Sequence, residues 1–222
     1  MIYLLSDIHG DRNFKGLEDY ISKAHEDDLL ILLGDVGLCF ENTEENRIFT
    51  DFFLSIKKNI AIVDGNHENF DYLKSFPEED WCGGRVHRLS DNIVHLMRGN
   101  AFEIQGNSFF VFGGCKSSEG WHKIGLYYPG EEPESKELSL AYETIKENEF
   151  KFDFILTHKY EQTPPDATFC PSLGELEKYI EDNVSYKHWY SGHNHEHSEP
   201  DEKHTVVYDE LTLLNMKKDN SP

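Results

Sequence analysis

The apolar positions of this chain fall into two rhythms. Leu29-Leu30-Ile31-Leu32-Leu33 is an unbroken apolar run closed by Gly34 and Asp35, the pattern of a short strand buried on both faces inside a helix-covered sheet. Ile2–Ser6, Asn59–Val63, Phe152–Thr157 and Lys187–Tyr190 read as further strands. Helical spacing comes between them. Phe14, Leu17 and Ile21 line one side of Asn13–Lys23, a second helix is expected over about Asn46–Ile56, an acidic amphipathic one over Lys136–Asn148, and another over Leu173–Ile180.

From Arg85 to Phe112 the texture changes. The short runs His87–Leu89, Ile93–Leu96, Ala101–Ile104 and Ser108–Phe112 are separated by Ser-Asp-Asn, Arg-Gly-Asn and Gln-Gly-Asn turns, which predicts a β-meander. Gly113–Ser135 shows no periodicity. A stretch that long is expected to be a functional loop, and its aromatic residues favour an ordered one. Thr163-Pro164-Pro165 breaks the chain, and Thr205–Tyr208 with Leu211–Asn215 predicts a closing hairpin around Asp209-Glu210. Met216–Pro222 is expected to fray. With no repeat, linker or low-complexity tract, the sequence is read as one domain over residues 1–222.

Charge changes the picture more than composition does. The 42 acidic and 21 basic residues give a formal charge of −21, a surface that repels polyphosphate backbones and argues against sequence-independent nucleic-acid binding. A phosphorylated substrate would then need local positive charge, which bound divalent ions would supply. No run approaches a membrane span of about 20 apolar residues, and strand one begins at Ile2, so a cytoplasmic protein without a signal peptide is expected. Cys39, Cys82, Cys115 and Cys170 lie far apart without CxxC spacing and read as free thiols of a reducing compartment.

Candidate chemistry collects where the strands end. Asp7 and His9 follow the first strand, Asp35 the second, Asn66 and His67 the third, His158 the fourth, and His193 and His195 the fifth. Ligands of open α/β sheets bind where loops leave the carboxyl ends of strands. Carboxylate, imidazole and amide oxygen suit manganese, iron, zinc or magnesium. Eight such residues are too many for one ion and right for two that share a carboxylate, for which Asp35 is the choice. His87 and His95, by contrast, lie in or beside the meander strands and read as structural.

Together, Asp7-x-His9, Gly34-Asp35, Gly65-Asn66-His67-Glu68, His158 and Gly192-His193-x-His195 resemble the motifs of the calcineurin-like metallophosphoesterase superfamily, in its order and each at a strand end. The resemblance implies an α/β fold, a four-layer αββα sandwich of two mixed sheets flanked by helices. It implies two divalent ions, manganese first with iron, zinc, magnesium or nickel as alternatives. Asp7, His9 and His195 would hold one ion, Asn66, His158 and His193 the other, and Asp35 both. A hydroxide shared by the ions would attack phosphorus in line, and His67, when protonated, would donate to the leaving group. Two departures matter. Asp35-Val36-Gly37-Leu38-Cys39 lacks the Asp and Arg with which many family protein phosphatases continue, which favours a phosphodiesterase or a small-molecule phosphoesterase over a phosphomonoesterase or protein phosphatase. The long loop followed by an acidic helix resembles the small bacterial or phage-type branch. A non-catalytic scaffold on the same fold is the third reading, set against by the filled motif positions. Within the loop, Lys116, His122 and Lys123 form a basic cluster beside Trp121, Tyr127 and Tyr128. Either these residues form a lid that selects the leaving-group side of a small phosphoester, or the aromatics pin the loop to the sheet.

Overall fold

The computed structural model describes residues 1–10, 14–161 and 167–214. The helix start at Asn13, the break at Thr163-Pro164-Pro165 and the tail from Asn215 lie outside them. Two sheets form. The first contains, in spatial order, β12 (Thr212–Leu213), β1 (Ile2–Leu5), β2 (Leu29–Leu33), β3 (Asn59–Val63), β6 (Ile93–Leu96), β5 (Gly84–Ser90) and β4 (Glu78–Trp81). The second contains β11 (His204–Val206), β10 (His188–Ser191), β9 (Phe154–Thr157), β8 (Asn107–Phe112) and β7 (Asn100–Ile104). β1, β2, β3 and β6 are parallel, as are β8 to β11, while β12, β5, β4 and β7 pair antiparallel.

The apolar run of β2 is used on both sides. Ile31 and Leu33 join Phe102, Phe109, Val111, Phe154 and Leu156 in the core between the sheets. Leu30 and Leu32 face the other way, onto Leu17 and Tyr20 of α1 (Lys15–Lys23) and Phe49 and Phe53 of α2 (Glu44–Ser55). On the far side of the second sheet, Phe110, Ile155 and Trp189 meet α5 (Ser135–Glu147) and α6 (Pro171–Asn183) through Ile145, Leu176 and Ile180. Helix, sheet, sheet and helix therefore stack as four layers. Two short helices, α3 (Phe70–Leu73) and α4 (Glu119–Ile124), lie in the connections. Among the described residues no helix is long and apolar enough to cross a membrane, and the cysteines are unbridged.

Three expectations need correction. The meander is split: β5 and β6 form a hairpin in the first sheet and β7 and β8 one in the second. β6 instead pairs in parallel with β3, and Met97–Gly99 carries the chain from one sheet to the other. The closing hairpin does not form, because β11 pairs with β10 while β12 crosses over to β1. Alternation marks a strand, but its partner is decided by which sheet edge is open. Gly113–Ser135, finally, contains α4, a turn too short to show a helical period. The unexpected edge strand β4 is Glu-Glu-Asp-Trp, stabilised by Arg85 and Arg88 on its acids.

His87 and His95 have the structural surroundings expected of them. Their rings stack 5.2 Å apart, and His95 Nε2 lies 3.0 Å from Asp64 Oδ1. Arg98, at the crossover between sheets, donates from Nε to Asp64 Oδ2 at 2.6 Å. Burial alone would raise the Asp64 carboxyl, yet the Arg98 guanidinium and His95 hold it well below the usual carboxylate range. Arg98→Ala would leave that buried charge with only the His95 ring beside it, at a cost of up to about 3–5 kcal/mol. Because the folded pKa is depressed, the stabilisation is fully present above an unfolded value of about 3.9 and is lost as pH falls through the folded one. Urea unfolding of the variant should show the full deficit at neutral pH and a shrinking one in acid.

Candidate metal centre

Strands β1, β2, β3, β9 and β10 carry the chain to one rim, and sharp turns follow β1, β2 and β10. Asp7, His9, Asp35, His193 and His195 all adopt left-handed backbone, with φ of 59°, 46°, 54°, 70° and 51°. Such conformations cost non-glycine residues of order 1–3 kcal/mol each and cluster where function needs them. Here they swing the side chains back over the rim. Glycine makes room at two points: a Cβ on Gly34 would run into the His158 ring, and one on Gly65 into the Asp35 carboxylate.

One group comprises Asp7, His9, Asp35 and His195. His9 Nε2 lies 2.9 Å from His195 Nε2, 3.6 Å from Asp35 Oδ2 and 3.8 Å from Asp7 Oδ1. Asp7 Oδ2 is occupied, accepting from Ser6 Oγ at 2.5 Å and His193 N at 2.9 Å. Among the described residues its Oδ1 is buried without a hydrogen-bond partner, 3.3 Å from His195 Nε2. An orphaned carboxylate oxygen ringed by imidazole nitrogens is a place a cation fits.

The second group comprises Asn66, His158, His193 and the other oxygen of Asp35. His158 Nδ1 donates to Leu33 O at 2.7 Å, so in the neutral ring Nε2 faces the group as an acceptor. That atom lies 3.2 Å from Asn66 Oδ1, 3.2 Å from His193 Nδ1 and 3.4 Å from Asp35 Oδ1. Asn66 turns its oxygen inward because its amide donates to Ser117 Oγ at 3.1 Å. Cys115 enters the same group unanticipated. Its Sγ lies 3.0 Å from Asn66 Oδ1 and 3.5 Å from His193 Nδ1. It follows Gly113-Gly114 at the end of β8, so the strand-end rule would have found it had thiols been admitted among the ligands.

The charges need a counterion. Burial would raise the Asp7 carboxyl, but the His195 ring, His158 and the hydroxyl of Ser6 bring it down to about 2. Burial and the neighbouring Asp7 drive Asp35 well above the usual carboxylate range. Two carboxylates in one dry site keep their charges together only with cations between them. The donor set thus fits divalent ions.

His67 stands outside both groups, its backbone N donating to Asp35 Oδ1 at 2.8 Å. Its ring lies among Phe40, His9 and Trp121, with the Trp121 ring 4.7 Å away edge to face. Burial, then His9 and His158, lower its pKa to about 3. A cleft of about 410 Å³ opens over the two groups and is closed on its other sides by Ser118, Trp121, Thr168 and Tyr208. The 113–135 loop therefore lies on the site side, and Tyr128 ties it down by donating to Phe40 O at 3.2 Å. Its basic residues do not line the cleft. Lys123 pairs with Glu119 at 3.2 Å, His122 Nε2 lies 2.9 Å from Glu131, and Lys116 is half-buried outside the lining.

The calcineurin-like phosphoesterase family model matches residues 1–197, which span every one of these groups. The chain belongs to the calcineurin-like phosphoesterase family. Membership implies metal-dependent hydrolysis of phosphoric esters, in a family that uses divalent ions. A solved structure of a protein of unknown function from Aquifex aeolicus is similar at 16% identity and a TM-score of 0.36, over 82% of this chain and 98% of that one. No curated protein matches.

In this calcineurin-like phosphoesterase, Asp35 faces His9 with one oxygen and His158 with the other. Asp35→Asn should therefore remove more bound metal than any substitution outside the two groups. Elemental analysis after Mn²⁺ incubation should find about two ions per wild-type chain. Full occupancy in the variant would show that the shared ligand is misassigned.

Proposed function

We propose that the chain is a dinuclear-metal phosphoesterase that prefers phosphodiesters or nucleotide-like phosphoesters, and that it belongs to the small bacterial or phage-type branch. The supporting observation is the pair of acceptor groups joined through the two oxygens of Asp35. Asp7, His9 and His195 would hold one ion, and Asn66, His158 and His193 the other. When bound, two divalent ions would supply Lewis-acid polarisation of the phosphoryl oxygens and activation of water. Manganese is the first ion to test.

The chain's own residues set what else can happen. Trp121 and Tyr208 wall the cleft, and no Lys or Arg lines it among the described residues. A phosphomonoester dianion would find no guanidinium there, whereas a diester carries one charge less. That favours diesters over the phosphomonoesterase or protein-phosphatase reading. His67 is buried and neutral on its own at neutral pH. It meets the leaving group with the N–H of a neutral ring, and only the substrate's negative charge works to protonate it.

Turnover of bis(p-nitrophenyl) phosphate and p-nitrophenyl phosphate with Mn²⁺ tests this reading. The diester should be hydrolysed faster; a monoester preference would overturn the substrate assignment, and no turnover of either would support a binding scaffold. His67→Ala should keep the metals and lose about 10²–10⁴-fold on poor leaving groups, less on p-nitrophenyl esters. His67→Gln keeps an N–H donor without a titratable proton. It should retain more activity than His67→Ala if donation rather than proton transfer is the role.

A further inference from the structure

We propose that Cys115 is a metal ligand, giving the second ion position a sulfur donor and a preference for zinc, iron(II) or cobalt over manganese and magnesium. The inference rests on the two-ion reading above and concerns which ions that site takes. Ligand atoms of one tetrahedral ion, bound at about 2.0–2.3 Å, stand roughly 3.3–3.7 Å apart. Cys115 Sγ and His193 Nδ1, 3.5 Å apart, fall within that span, while His193 Nδ1 and His158 Nε2 at 3.2 Å and Cys115 Sγ and Asn66 Oδ1 at 3.0 Å are slightly closer than it. Sulfur and both nitrogens lie within 4.8 Å of one another.

The neighbours are acceptors. His158 has committed its Nδ1 proton to Leu33 O, and Asn66 its amide to Ser117, so a nitrogen lone pair and an amide oxygen converge on this spot. His193 is braced from behind, with Nε2 3.3 Å from Thr168 Oγ1, which in turn accepts from Lys159 Nζ at 2.7 Å. Acceptors facing one another call for a cation, and the sulfur is at its edge. On binding, the Cys115 S–H bond breaks, its proton passes to solvent, and the sulfur pair is donated to the ion. Thiolate is a soft ligand that selects zinc and iron over manganese and magnesium. The other position, built from Asp7, His9, His195 and Asp35, offers only oxygen and nitrogen. The two positions therefore differ in the ions they favour.

Cobalt(II) titration of the metal-stripped full-length chain, followed by absorption, tests the assignment. A thiolate on cobalt gives an intense near-ultraviolet charge-transfer band, which wild type should show and Cys115→Ser and Cys115→Ala should lack. Cys39→Ser, at a residue that belongs to neither ligand group, should keep the band. Competition between zinc and manganese should shift toward manganese by at least about tenfold in Cys115→Ser, the least expected when even a supporting group is removed. Zinc should also protect wild-type Cys115 from alkylation, a readout that needs no folded variant. Cobalt bound at full stoichiometry without the band would overturn this inference and leave the two-ion reading standing. No cobalt bound at all would overturn both.

Discussion

Asp7 and Asp35 set the problem that the rest of the molecule answers. Both carboxylates are buried, and each makes the other's charge harder to hold. A fold that needed only stability would replace one of them. This one surrounds them with imidazoles, an amide oxygen and a thiol, and one Asp7 oxygen has no hydrogen-bond partner among the described residues. The site is a set of acceptors held together against their own repulsion, an arrangement that divalent ions fit.

Holding it takes rigid surroundings. The turns after β1 and β2 continue the ladder between those strands: Asp7 N donates to Gly34 O at 3.1 Å, His9 N to Asp35 O at 2.9 Å and Gly10 N to Val36 O at 2.9 Å. Glu68 fixes the same segment from the other side, accepting from Val36 N at 2.8 Å and Gly37 N at 3.3 Å. Burial and the charge of Asp35 push Glu68 up to about 8, so it too is held under electrostatic stress. Five left-handed residues add backbone strain at the same rim. The three apolar layers behind it, one between the sheets and one under each pair of helices, supply the stability that such a site uses up.

How much of this was legible in the sequence depended on how local each signal is. The five-residue run of β2 announces itself because both its faces are buried, and the ligands after each strand are visible because strand ends are where ligands gather. Strand partners are not local. Nothing in Ile93–Leu96 says that it will pair with β3, or in Thr212–Leu213 that it will leave β11 for β1. Cys115 was missed for a different reason: the ligand set was closed by residue type, although its position after β8 followed the same rule as His158 after β9. The pairing of Lys123 with Glu119 could not be read before α4 brought residues four apart onto one face.

The charge of the whole chain bears on the site's selectivity. With 42 acidic and 21 basic residues, the molecule repels anionic substrates at long range, and salt screens that repulsion within about 10 Å at 0.1 M. Inside the cleft no Lys or Arg among the described residues offsets it. On the proposed reading, bound ions would be the chief local positive charge, so affinity for a phosphoryl group and catalysis of its hydrolysis would draw on the same source. A substrate gains little from carrying a second negative charge that only the ions can meet. It gains more from a flat group that can lie against Trp121 or Tyr208, whose faces attract without charge. An acidic exterior, ion-filled acceptors and aromatic walls thus act in the same direction. Under the proposed function they would select small esters of low charge and large apolar area over highly charged ones.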